Sequence, residues 1–379
     1  MNITTTLHPI ALNNISSTVC YDEEIRDIDL QLITISTGTV IAVVGLILNG
    51  IILTVFYMTP VRGSNTLLLS VLAFCDIGVL LSYLLLYTIE GSASYWNLGS
   101  LNTLWVHYVP YLFPVSRTSQ MATTYIMLVA ITERFVSLMR WKRAAQLFLS
   151  DRIVLIIIAV LLFCVFSHIS RYWEIEAVHN PNCTGLAASH VRASTLLREN
   201  ADYRTIYGLW YTNITNVLLP FATLIILSAI NAVNLRLALR SGKALHCLVI
   251  NKIDGITKET IEKNMRRHRR LRDATVVSLV LVVSYVIFNS LSAVITIWEF
   301  ADQQFLFQNQ KFYTLSVEMI NIGAVTNAAS RFVSYMAFNR DFRTTAREIW
   351  LARTSRKPTS QTPSPAKSTN SIRGSRRRK

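Results

Sequence analysis

Charge is what this sequence has least of. Only 16% of its 379 residues are Asp, Glu, Lys or Arg, against roughly a quarter in an ordinary soluble domain. With 51% hydrophobic residues and a mean hydropathy of +0.37, that balance speaks against a soluble enzyme. Glycine and proline are also scarce, at 13 and 9 residues. Their scarcity excludes a collagen-like or disordered chain, because apolar surface is ample and backbone breakers are few. A signal-peptide pattern is missing as well. Residues 1–30 carry acids and glycosylation sequons rather than a basic stretch followed by an apolar one, so the first apolar block is expected to insert by itself.

What the chain does have is long apolar blocks, at about 31–59, 65–90, 105–138, 152–173, 205–238, 271–300 and 311–337. Each is long enough to cross about 30 Å of hydrocarbon at about 1.5 Å per residue. The expected fold class is therefore an all-α membrane protein, a seven-transmembrane helix bundle over 31–337. Basic residues set its orientation. Arg62, four residues in 139–152, eleven in 236–273 and twelve in 338–379 fall on one side, against Arg26, Arg192, Arg198, Arg204 and Lys311 on the other. By the positive-inside rule the C-terminus is expected in the cytoplasm and the N-terminus outside. The basic pI near 9.8 thus reflects topology, and nucleic acid is not an expected partner because no soluble basic module is present.

Sequons agree with that orientation. Asn2 and Asn14 lie in the 1–30 arm and Asn182 in the loop after block four, all on the outer side as expected glycosylation sites. Asn213 also heads a sequon but sits inside the fifth block, where it reads as an unused match. Of the five cysteines, Cys75 and Cys164 are within blocks and Cys247 is in a cytoplasmic loop. Cys20 and Cys183 alone face the oxidising side, so a disulfide between them is expected, with two free thiols as the alternative.

A charge in hydrocarbon costs about 2.5–3.5 kcal/mol and is usually functional. Asp76 lies in the middle of block two, Arg117 in the outer part of block three, Glu133 and Arg134 at its inner end, and Arg331 in block seven. Glu90, Glu299 and Glu318 lie near outer ends, where plain solvation is the simpler role.

These residues also carry a family resemblance. Leu48-Asn49-Gly50, the run Asn65 to Asp76, Trp96-Asn97-Leu98-Gly99, Glu133-Arg134-Phe135 and Pro220 occur in order on successive blocks. Together they resemble the rhodopsin-like (class A) G-protein-coupled receptors. Tyr108 to Val115, Gln120 to Tyr125, Ser170 to Glu174 and Phe288-Asn289-Ser290-Leu291 ending at Glu299 are similar to the FMRFamide-type invertebrate neuropeptide receptors, over roughly residues 35–345. The resemblance implies a receptor at the plasma membrane for an extracellular neuropeptide with an amidated Arg-Phe end, coupled to a heterotrimeric G protein, with no cofactor or metal. A peptide of that kind has one cation and one ring to place, which suits carboxylates beside aromatic faces. The implied ligand residues are Glu90, Tyr111, Arg117, Gln120, Trp210, Glu299 and Glu318, with Arg117 neutralising one of the acids. Half of the mouth aromatics are expected to serve only as an interfacial belt.

The implied activation switch comprises Asp76, Glu133, Arg134, Asn289, Arg331 and Tyr335. Here the chain departs from the family: Arg331 and Phe332 replace the asparagine and proline of the span-seven motif, and Ser228 stands where a tyrosine is common. Ordinary activation is therefore in question. Asp76 and Arg331 are expected to form a buried ion pair in place of sodium, with snorkelling of Arg331 to the headgroups as the alternative. The basic run Met265 to Arg272 suits lipid headgroups or a G protein equally. Residues 338–352 suit a helix on the membrane surface, and 353–379 read as a disordered tail whose Ser and Thr residues are possible kinase targets and thus an arrestin site. The rival classes are a chemosensory seven-helix receptor for a small molecule and, further off, a transporter. An opsin lacks support because no lysine lies between Phe312 and Ala337, and an enzyme would need more than one mid-block carboxylate.

Overall fold

A computed structural model describes residues 28–59, 63–139, 146–148, 150–250 and 255–355. Helices α1 (Ile28–Met58) and α2 (Ser64–Tyr83) open the chain, and α2 runs through a π-helical stretch into α3 (Ile89–Tyr95). The long α4 (Gly99–Met139) follows, then α5 (Ser150–His168). After a hairpin and the short α6 (Thr195–Glu199), π-helical turns lead into α7 (Leu219–Ile250), and α8 (Gly255–Ala301) returns. A single turn, α9 (Gln303–Gln308), precedes α10 (Gln310–Phe338) and α11 (Arg340–Ser355). Helix α4 is the central rod and touches α2, α5, α7 and α8, while α10 closes the bundle between α1, α2 and α8.

This is a membrane helical bundle, and its surface shows why. Ile33, Val40, Ile47, Phe74, Leu155, Phe166, Ile287 and Val333 point outward, whereas Asn49, Asp76, Asn321 and Arg331 point in. In lipid the apolar face is the outer one, so the polar residues collect in the middle. Among the described residues six helical segments are long and apolar enough to cross a bilayer: Leu32–Met58, Ser64–Tyr95, Gly99–Met139, Arg152–Trp173, Tyr203–Leu237 and Arg272–Ala301. Helix α10 has 29 residues, about 43 Å at 1.5 Å each, but its Glu318, Asn321, Asn327 and Arg331 hold its hydropathy down.

Two features were not expected from the sequence. The loop after α5 forms an antiparallel hairpin, β1 (Ile175–His179) with β2 (Ser189–Ala193), in the register Ile175↔Ala193 to His179↔Ser189. Asn102 pins it to α4 by donating to the carbonyls of Leu186 at 3.0 Å and Ser189 at 2.9 Å. The Trp96-Asn97-Leu98-Gly99 turn sits beside it. Asn97 takes a left-handed φ of 51°, which asparagine tolerates better than most residues, and a Cβ on Gly99 would lie 2.9 Å from the Gly185 carbonyl.

The second feature is a set of π-helical stretches, Leu84–Thr88, Tyr203–Tyr211 and Ile214–Leu218. Wider turns leave carbonyls that side chains must satisfy. Trp105 donates to Leu86 O at 2.8 Å and Tyr108 to Leu85 O at 2.6 Å. Pro220 has no N–H to offer the turn before it, and the Tyr125 hydroxyl donates to Thr215 O at 3.0 Å instead.

Candidate ligand site and polar core

At the centre of the bundle, Arg331 on α10 and Asp76 on α2 meet. Nη1 lies 2.9 Å from Oδ2, with side-chain exposures of 2% and 0%. The contact is a buried ion pair. Thr123 donates to Asp76 Oδ1 at 3.3 Å. One turn before Arg331, Asn49 Nδ2 bridges the carbonyls of Gly45 at 2.9 Å and Ala328 at 3.1 Å, fastening α1 to α10. Tyr335, one turn after, is fully buried edge-on against Phe56. Asn289 donates to the Tyr285 carbonyl of its own helix at 2.9 Å.

A cavity of about 90 Å³ opens beside this pair, and Asp76, Arg117, Gln120, Arg171, Asn289 and Asn321 are on its wall. Arg117 donates to Gln120 Oε1 at 3.1 Å and lies over the Phe113 ring, 4.9 Å from its centroid. The expected neutralisation of a mouth acid by Arg117 is not what the structure shows: among the described residues it has no ion pair. Arg171 and Glu174 pair at 3.1 Å inside the bundle, with Tyr203 donating to Glu174 at 3.0 Å and Arg171 to Thr212 at 3.2 Å. In the sequence these are opposite charges three apart at the end of an apolar block, a readable signal for a pair.

The mouth residues are dispersed. Glu299 is 3% exposed and accepts from Asn213 Nδ2 and from the Tyr313 hydroxyl, each at 2.8 Å. Its neighbours are thus neutral donors, and Asn213, at 0% exposure, is spent inside the bundle. Glu318 accepts from Thr34 at 2.7 Å, and Glu90 lies half-buried on α3. None of the three acids is on the cavity wall. Tyr111 and Trp210 are 68% and 52% exposed, with Trp210 tilted on Phe300.

At the other end of the bundle Arg134 Nη2 lies 2.8 Å from Glu133 Oε1, and Ser64 donates to the same carboxylate. Phe342 of α11 is buried among Phe56, Phe332 and Tyr335, which docks that helix on the bundle. Asn182 is exposed near the hairpin, and Cys183 is buried. Asn2, Asn14, Cys20 and nearly all of 353–379 lie outside the described residues.

A lipid-facing apolar shell around a charged, cavity-bearing interior defines a multi-pass membrane protein. Its sequence is 24% identical over 310 residues to an FMRFamide receptor of Drosophila melanogaster, a match covering 80% of this chain and 51% of that protein. The chain therefore spans about half the length of the curated relative it matches. No protein-family model matches it. This distant homology to a receptor, with the membrane bundle, points away from an enzyme.

Proposed function

We propose that the protein is a rhodopsin-like G-protein-coupled receptor of seven spans, α10 being the seventh, that binds an extracellular neuropeptide and signals to a heterotrimeric G protein at the plasma membrane. The observation that carries this reading is the 310-residue match to a receptor. The hairpin end faces outward in this reading, with Asn182 available for a glycan and Cys183 for a bond to Cys20 from the N-terminal arm. The Arg134 end faces the cytoplasm, where the tail would meet arrestin and α11 the lipid surface.

Glu299 supports a ligand with an amidated Arg-Phe end. A carboxylate at 3% exposure, held by two neutral donors, is a desolvated anion that an incoming guanidinium would complete. Tyr313 beside it, with Trp298 stacked on Phe305, supplies rings for the phenylalanine. Cells expressing the receptor with a promiscuous G protein test this. Amidated Arg-Phe peptides should elicit a calcium response that their free acids do not. No response to any amidated peptide, or equal potency of the acids, would overturn it.

A further inference from the structure

The cavity beside Asp76 has a charge imbalance. Asp76 is matched by Arg331 at 2.9 Å, and Arg171 by Glu174 at 3.1 Å. Arg117 remains. Its two contacts are neutral, the Gln120 side-chain oxygen and the Phe113 ring, and its Nε is a buried donor with no hydrogen-bond partner. The charged groups acting on it are Arg171 and Glu174, which already satisfy each other. Asn321 is on the same wall. Arg117 is half-buried, and a cation with no paired carboxylate at the edge of a confined cavity favours a mobile anion. The cavity, at about 90 Å³, exceeds the roughly 10–15 Å³ that one water needs by this measure. It can take a small ion with a few waters.

We infer that this cavity is a binding site for a small monovalent inorganic anion, chloride being the physiological case, held on the Arg117 guanidinium. The family expectation at this depth is a cation beside Asp76, and Arg331 already occupies that role, so the site has inverted its sign. The inference does not rest on the peptide reading, since the ion binds the protein without ligand.

The test uses the purified, peptide-free receptor in detergent, with sodium chloride replaced stepwise by sodium gluconate at constant ionic strength. Chloride should raise Tm saturably, by on the order of 2 °C, and bromide should do the same. Exchanging sodium for choline at fixed chloride should change nothing. In Arg117→Gln the chloride response should vanish. If that variant does not fold, Arg117→Lys, which keeps a charge but loses the planar fork, should shift the chloride midpoint. Equal Tm in chloride and gluconate throughout, an unchanged response in Arg117→Gln, or an unchanged midpoint in Arg117→Lys would each overturn the site.

Discussion

Arg331 and Asp76 are ion-paired at 2.9 Å where two helices distant in sequence cross, each almost completely removed from solvent. Removing either partner leaves a lone buried charge, which costs about 3–5 kcal/mol, while removing both can be close to neutral. Asp76→Asn and Arg331→Met alone should therefore sharply lower surface expression and Tm, and the double variant should recover most of both. Sodium should leave peptide affinity unchanged in the parent. A double variant no better than either single one, by thermal unfolding in detergent, argues against the coupling.

Glu299 should be the most sensitive of the three mouth acids. Because its two partners are neutral donors, Glu299→Gln keeps the size of the group and removes only its charge. Loss of a desolvated charge pair with the peptide costs about 2–5 kcal/mol of binding. Potency of an amidated Arg-Phe peptide should fall accordingly, with smaller losses for Glu90→Gln and Glu318→Gln. Changes within about threefold for all three, under 1 kcal/mol, would remove the carboxylates from the ligand site.

Arg134 is held by Glu133, which also takes the Ser64 hydroxyl. Arg134→Ala should abolish G-protein coupling while leaving surface expression and peptide binding in place. Glu133→Gln should release Arg134 and raise ligand-free signalling roughly fivefold, the effect of about 1 kcal/mol on a two-state equilibrium. Guanine-nucleotide exchange in membranes measures both, and unimpaired coupling by the alanine variant would discount the switch.

Cys183 is buried beside the exposed end of the hairpin turn. Non-reducing peptide mapping of surface-expressed protein should recover a fragment containing both Cys20 and Cys183. Recovery of two alkylatable thiols at these positions would end the idea.

Gly323 is where α10 and α8 approach backbone to backbone. A Cβ there would lie 2.6 Å from the Phe288 carbonyl oxygen, and backbone cannot rotate away as a side chain can. Gly323→Ala should cost about 1–3 kcal/mol through overpacking, seen as a lowered Tm in detergent. An unchanged Tm would show that the helices separate at no cost.

The sequence by itself determined the membrane class. Long apolar blocks, low charge and the asymmetric distribution of arginine and lysine follow from the need to satisfy every backbone group inside hydrocarbon, a constraint local enough to be read residue by residue. It also singled out Asp76, Arg134 and Arg331, because charge within an apolar run is conspicuous. Tertiary structure alone decided the rest. Tyr111 and Trp210 read as ligand residues through the resemblance, and their exposures of 68% and 52% are set by how their helices pack. Arg117 read as a partner for an acid, yet packing put Gln120 and Phe113 around it. The hairpin at 175–193 and the π-helical turns before Pro220 depend on contacts with Asn102 and Tyr125, which are distant in the chain. Facing, pairing and cavity shape are set by which helices meet, and that meeting is recorded in no single stretch of sequence.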